Sequence, residues 1–179
     1  DIRIGARSWT IAPSLKFALT NKWDLRLGSI FGESRAEQLA DVALDGSPYL
    51  TQRGIYTNRV QSFEASGEGP LFRLPGGNAR LAVGAGVRRT KFILDIAAIE
   101  SGNVVPSQYL TQDRTTSYGY GEISLPFVSP SNNVLLINRL SFTGAVRYEN
   151  VSHVGDVATP KLGVIYAPLR DIAFKFSWG

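Results

Sequence analysis

Residues 140–149 read LSFTGAVRYE, and the fold follows from their alternation. Leu140, Phe142, Gly144, Val146 and Tyr148 fall on one side of an extended chain, and Ser141, Thr143, Ala145, Arg147 and Glu149 on the other. Successive strand side chains point to opposite faces, so this period of two marks a strand with one apolar and one polar face. The pattern recurs in both directions. Upstream, Gly121, Ile123, Leu125 and Phe127 oppose Tyr120, Glu122 and Ser124, and Leu81, Val83, Ala85 and Val87 oppose Arg80, Ala82, Gly84, Gly86 and Arg88. Phe63, Ala65 and Gly67 oppose Ser62, Glu64, Ser66 and Glu68, while Leu15, Phe17 and Leu19 precede a break at Asn21 and Lys22 and a second run of Trp23, Leu25, Leu27 and Phe31. Downstream, Ile172, Phe174, Phe176 and Trp178 face away from Ala173, Lys175 and Ser177.

These runs place about eight strands near residues 12–20, 22–34, 55–68, 77–93, 113–128, 135–150, 158–168 and 170–179. They cover roughly three-fifths of the chain, well above the roughly 20–25% strand of soluble domains. Long strands tilted across a bilayer account for that excess, because about 9–11 residues are needed to cross the hydrocarbon. The expected fold class is all-β, an antiparallel up-and-down meander of about eight long strands forming part of a transmembrane β-barrel.

The connections alternate in kind. Asn21-Lys22, 69–76 (GPLFRLPG), 126–133 (PFVSPSNN) and 168–171 (PLRD) are short and rich in Gly, Pro, Asn and Asp, which marks turns. Residues 35–54, 93–112 and 150–157 read as longer polar loops. Short turns on one rim and long loops on the other is the asymmetry of an outer-membrane barrel. Hairpin turns are expected at 21–22, 69–76, 129–133 and 168–171, and Leu81, Val83, Phe142, Val146 and Phe174 are expected to point outward. Trp23, Phe127, Tyr148, Tyr166 and Trp178 near strand ends fit interfacial girdles, and equally the aromatic core of a soluble sandwich.

Composition narrows the classes. With 179 residues, 44% of them apolar, the chain is expected to form a single segment, 1–179. The absence of Cys excludes disulfides, thiolate zinc sites and a cysteine nucleophile, and a single His, His153, argues against a histidine metal cluster. The chain has no Met and begins at Asp1, so it is expected to be processed or cut from a longer precursor, with any leader upstream. A net charge of +4 is spread without a basic run long enough for a nucleic-acid stripe. The longest nearly apolar stretch, 92–99, is interrupted by Asp95 and far short of a membrane helix.

Three runs resemble proteobacterial TonB-dependent outer-membrane receptors. Residues 68–92 (EGPLFRLPGGNARLAVGAGVRRTKF) are similar to that family's turn and following strand, and 118–128 (YGYGEISLPFV) to a further strand and turn. Residues 140–178, with AVRY at 145–148, TPKLG at 159–163 and PLRD at 168–171, resemble a third conserved-order stretch. The resemblance covers about 60–179. It implies a 22-stranded barrel plugged by an N-terminal domain, located in the bacterial cell outer membrane, which moves a scarce nutrient of siderophore, cobalamin or glycan class with energy delivered by TonB. It further implies as partners the outer-membrane lipid, the remainder of the barrel and plug of the parent chain, TonB through the parent, and a small-molecule ligand, with no nucleic acid. The chain holds no plug and no TonB box, so it is expected to be an internal piece of the barrel. Two alternatives stay open: a complete small eight-stranded outer-membrane barrel, and a soluble ligand-binding β-barrel, distinguished by whether the apolar face is outside or inside.

No catalytic constellation survives inspection, so the chain is not expected to be an enzyme, and no cofactor is expected. Gly84-Ala-Gly86 lacks the third glycine of a dinucleotide loop and lies inside a strand, where small residues serve close packing. His153 with Ser152 and Asp156 lacks a nucleophile elbow, and Asn150-Val-Ser152 is a chance sequon. Glu64, Glu68 and Glu122 are a possible carboxylate set, but lumen-facing charge beside Arg80, Arg88 and Arg147 explains them without chemistry. Ligand is expected to enter from the long-loop rim, so Tyr49, Tyr56, Tyr109, Arg114 and His153 are the candidate ligand-binding residues. Aromatic and Arg side chains stack on or pair with a siderophore or sugar acid.

Overall fold

The computed structural model describes every residue except Thr20, Asn21, Asp45, Gly46 and Ser101, and excludes the side chains of 42–49. Among the described residues nine strands form one sheet: β1 (Ile2–Ile11), β2 (Ser14–Ala18), β3 (Asp24–Leu44), β4 (Ser47–Leu74), β5 (Gly77–Glu100), β6 (Asn103–Val128), β7 (Arg139–Val151), β8 (Gly155–Leu169) and β9 (Ile172–Trp178). From β3 onward each strand lies beside its sequence neighbour, and β1 and β2 both lie along β3, as in an up-and-down meander. The β1–β3, β2–β3, β6–β7, β7–β8 and β8–β9 pairs are antiparallel. Ile11 opposite Phe31 and Ser14 opposite Gly28 belong to one register, interrupted at Ala12 and Pro13 because proline offers no N–H to a ladder. The Pro13 carbonyl instead accepts from Ser29 N at 3.0 Å. The nine strands therefore make eight passes.

No helix among the described residues is long and apolar enough to cross a membrane. A helical turn, Pro130–Asn132, is a 3-10 segment whose Asn132 Oδ1 accepts from Ser129 N at 2.8 Å, and Asn132 Nδ2 donates to the Pro75 carbonyl at 2.8 Å.

Several boundaries differ from the sequence expectation, among them the loop expected at 150–157, which is reduced to a turn at 152–154. The stretches read as loops at 35–54 and 93–112 are largely strand, so that β3 to β6 run 21, 28, 24 and 26 residues. Alternation fades in these stretches, which is what a strand with both faces wet leaves in the sequence. Residues 2–11, to which the sequence pattern assigns no element, form β1, where the apolar phase switches from Ile2 and Ile4 to Trp9 and Ile11. Finally, β7 begins at Arg139 rather than near 135, because Leu136 sits at φ 59 and a Val134–Ile137 bridge closes a turn. The expected turn at 69–76 is reduced to Pro75 and Gly76, and that at 168–171 to Arg170 and Asp171. Of the expected turn at 21–22, Asn21 lies outside the described residues; Leu19 N donates to the Trp23 carbonyl across it at 2.9 Å.

The chain packs as two compact units, one of Asp1–Pro13, Ser29–Ser62 and Arg88–Thr115, the other of Ser14–Gly28, Phe63–Val87 and Thr116–Gly179. In the second unit the faces sort by chemistry. Tyr118, Tyr120, Glu122 and Ser124 oppose Glu149, Arg147, Ala145 and Thr143 on one face, while Gly121 and Leu125 oppose Val146 and Phe142 on the other. The apolar face is the uncovered one: Phe63 is 52% exposed, Val146 51% and Phe174 49%, with Val83 and Phe142 also exposed and Leu81 half-buried. The polar face holds Tyr118, only 6% exposed, and no large side chain among the described residues is completely buried. A soluble domain does the opposite, since burying apolar area is what stabilises it in water. On the apolar face Phe127 meets Phe142 edge-on at 5.4 Å, and Tyr166 stacks on Phe174 at 6.3 Å.

The β7–β8 turn, Ser152 to Val154, places His153 at φ 64 and is followed by Gly155 at φ 121. Left-handed backbone is costly for β-branched residues and free for glycine. His153→Gly is therefore expected to leave stability unchanged or raised, and His153→Val to lower it by about 1–2 kcal/mol, read from guanidinium unfolding midpoints.

Candidate functional site

The densest polar cluster lies on one face of β4, β6 and β7. Glu64 of β4 accepts two hydrogen bonds, from the Tyr118 hydroxyl at 2.7 Å and the Tyr120 hydroxyl at 3.0 Å. Both tyrosines stand on β6, and β5 runs between β6 and β4 in the sheet. Their rings reach across β5 because it carries glycine where they pass. A Cβ at Gly84 would collide with the Tyr120 ring, and one at Gly86 would lie 2.6 Å from Tyr118 Cζ. Next in the sheet, Arg147 of β7 lies opposite Tyr120, places its guanidinium 4.3 Å from the centre of the Tyr118 ring, and donates from Nε to Glu149 at 2.7 Å. Carboxylate, two phenols, guanidinium and carboxylate thus form one hydrogen-bonded and cation–π chain.

Adjacent charges are also paired. Lys16 Nζ lies 3.0 Å from Asp24, and Arg80 lies 3.8 Å from Glu68. A hollow of about 200 Å³ opens among Lys16, Asp24, Arg26, Ser66, Glu68 and Tyr120. This wall presents donors and acceptors to water or to a polar ligand. Glu64 is engaged by tyrosines and Glu68 by Arg80, so each has the partner of a structural charge, and among the described residues no three His, Asp or Glu come together as metal ligands. Replacing Glu64 by Leu removes the acceptor of both hydroxyl bonds and is expected to cost about 1–3 kcal/mol in unfolding free energy, with Glu64→Gln costing less because it keeps one acceptor oxygen.

The candidate ligand residues occupy other places. Tyr56 is half-buried on β4, its ring beside Gly54, and borders a hollow of about 370 Å³ with Arg7, Ser34, Arg35 and Asn58. Tyr109 and Arg114 are exposed on β6 rather than in a loop, and the Arg114 carbonyl accepts from Thr90 Oγ1 at 3.5 Å. His153 is exposed in the β7–β8 turn, and the side chain of Tyr49 lies outside the described residues. No hydrogen bond, ion pair or ring contact joins any two of Tyr56, Tyr109, Arg114 and His153 among the described residues. Glu64 and Arg147 stand out from the sequence as lumen-facing charges, but their meeting with Tyr118 and Tyr120 does not. Its signal is there in complementary form, as Tyr-Gly-Tyr at 118–120 facing Gly-Ala-Gly at 84–86.

Residues 3–179 match the model of the TonB dependent receptor-like, beta-barrel family. The chain belongs to this family. A search of curated proteins found no match to the chain. The TonB-dependent receptor barrel is a bacterial outer-membrane structure serving active transport, and the family is one of transport receptors rather than enzymes. That location accounts for the reversed faces: the exposed apolar side chains meet lipid, and the cluster around Glu64 lines the lumen side, where charge keeps its solvation.

Proposed function

We propose that the chain, as a single barrel segment 1–179, forms part of the wall of a receptor that takes up a scarce nutrient of siderophore, cobalamin or glycan class, energised through TonB in the parent protein. The supporting observation is the barrel-family match over residues 3–179 together with a lumen face built from paired charges and phenols. The outer-membrane lipid, the remaining barrel and plug of the parent, TonB and the small-molecule ligand are its partners in this reading. Tyr49, Tyr56, Tyr109, Arg114 and His153 contact the ligand on its way in.

Uptake by cells with and without the receptor gene, fed ferric siderophores, cobalamin or glycans as sole source, tests it. One class is expected to fail in the deletion strain and to fail equally when TonB is removed; growth unaffected by either deletion overturns the reading. For the ligand residues, alanine at all five positions is expected to weaken binding. Unaltered affinity, with Arg88→Ala or Arg147→Ala abolishing it, moves the site to the lumen.

A further inference from the structure

The connection between β6 and β7 divides into a polar and an apolar half. The first half, Ser129 to Asn132, is tied to the neighbouring β4–β5 turn by the bond from Asn132 Nδ2 to the Pro75 carbonyl. The second half, 134–137, reads Val-Leu-Leu-Ile and closes on itself, with Ile137 N donating to the Val134 carbonyl at 3.2 Å. At its tip Leu135 is 87% exposed and Leu136 61%, with Val134 exposed beside them. Turns are ordinarily built from Gly, Pro, Asn, Asp and Ser, as the two other turns on this rim are at Pro75, Gly76 and Asp171.

Leu136 runs against type in its backbone as well. It sits at φ 59, close to the left-handed conformation that Asn133 adopts three residues earlier at φ 52. Asparagine and glycine take that conformation readily, whereas leucine is strained in it. In water either of them would serve better at 136, both for the backbone and for an exposed side chain. A leucine there suits a different solvent.

Tyr166 fixes the side to which the apolar half leans. On β8 it lies opposite Leu140 of β7 and Phe174 of β9, on the apolar face that also carries Phe142 and Val164. Its ring stacks on Phe174, and its hydroxyl donates to the Leu136 carbonyl at 2.9 Å. The turn is thus drawn over the lipid-facing side of these strands, and Val134, Leu135 and Leu136 extend the exposed apolar surface of Phe127, Ile172 and Phe174 past the strand ends. All of these residues belong to one compact unit.

We propose that residues 134–136 form a lipid-inserting turn, seated among the acyl chains just beneath the headgroups of the leaflet on this rim. The patch is continuous with a face that already meets hydrocarbon, and the tyrosine at its base is of the amphipathic kind that gathers at that depth. Burial of the three side chains against lipid offsets the backbone strain at Leu136.

The chain contains no Cys, so one introduced cysteine marks one position in the full receptor once any cysteines outside this segment are replaced. Leu135→Cys, and as a control Asp171→Cys in the β8–β9 turn of the same rim, are labelled with a nitrobenzoxadiazole fluorophore in receptor held in phospholipid nanodiscs. Two quenchers are compared: phospholipid brominated near the carbonyl end of its acyl chains, and aqueous iodide. The label at 135 is expected to lose most of its emission to brominated lipid and little to iodide, and the label at 171 the reverse. Adding Val134→Ser with Leu136→Asn, the latter suited to φ 59, is expected to move the label at 135 from the lipid quencher to the aqueous one. Heat-modifiable gel mobility confirms that each variant is folded. The readout involves no nutrient, so this proposal and the transport reading fail separately. Iodide quenching at 135 as strong as at 171 overturns the proposal, and so does protection from both quenchers, which would mean that protein covers the turn. Lipid quenching that survives Val134→Ser with Leu136→Asn also overturns it, because the apolar side chains would then not be what holds the turn in the leaflet.

Discussion

Val146→Arg is expected to cost the receptor about 2–4 kcal/mol of folding free energy in lipid vesicles, while Ala145→Arg, one residue away, stays within about 1 kcal/mol of wild type. Val146 is exposed on the apolar face between Phe142 and Tyr148, opposite Gly121 on β6 and Pro160 on β8. A guanidinium there has only hydrocarbon for a neighbour and either loses its hydration or distorts the bilayer. Ala145 lies opposite Glu122 and Lys161 on the polar face, where an added cation finds a carboxylate and water. Denaturant titration followed by tryptophan fluorescence reads the difference. Equal costs at 145 and 146, or a larger cost at 145, would reverse the assignment of faces and favour a soluble barrel.

Gly86→Ala is expected to lower stability by about 3 kcal/mol, and Gly84→Ala by somewhat less. The added Cβ at Gly86 lies 2.6 Å from the Tyr118 ring and 2.7 Å from the Phe63 carbonyl oxygen, so both a side chain and the β4 backbone must move, and the hydroxyl bond to Glu64 is lost with them. At Gly84 the three nearest obstructing atoms all belong to the Tyr120 side chain. A double-mutant cycle separates the two cases. Tyr120→Ala should recover most of the stability lost in Gly84→Ala, whereas Tyr118→Ala should recover only part of that lost in Gly86→Ala, because the carbonyl remains. Full rescue at both sites would show that ring crowding alone keeps these positions glycine.

What the sequence by itself determined is the part of the molecule in contact with lipid. Where one face of a strand meets hydrocarbon and the other a wet lumen, each side chain is chosen by its solvent, and the resulting alternation from Leu140 to Tyr148 or Leu81 to Val87 is legible without coordinates. The turns were legible for a different local reason: Pro75, Gly76 and Asp171 carry the backbone preferences that reverse a chain. Beyond the apolar band this constraint disappears. The distal parts of β3 to β6 carry no period-two alternation, and the ladder hydrogen bonds that make them strand leave no imprint on side-chain type, so 35–54 and 93–112 read as loops. Only tertiary structure decided which distant residues meet. Tyr118 and Tyr120 reach Glu64, 54 and 56 positions away, over glycines on an intervening strand, and Arg7 comes to face Arg35 through the β1–β3 register. Those meetings depend on strand order and register, which are set by the whole sheet's pairing rather than by any one segment's composition.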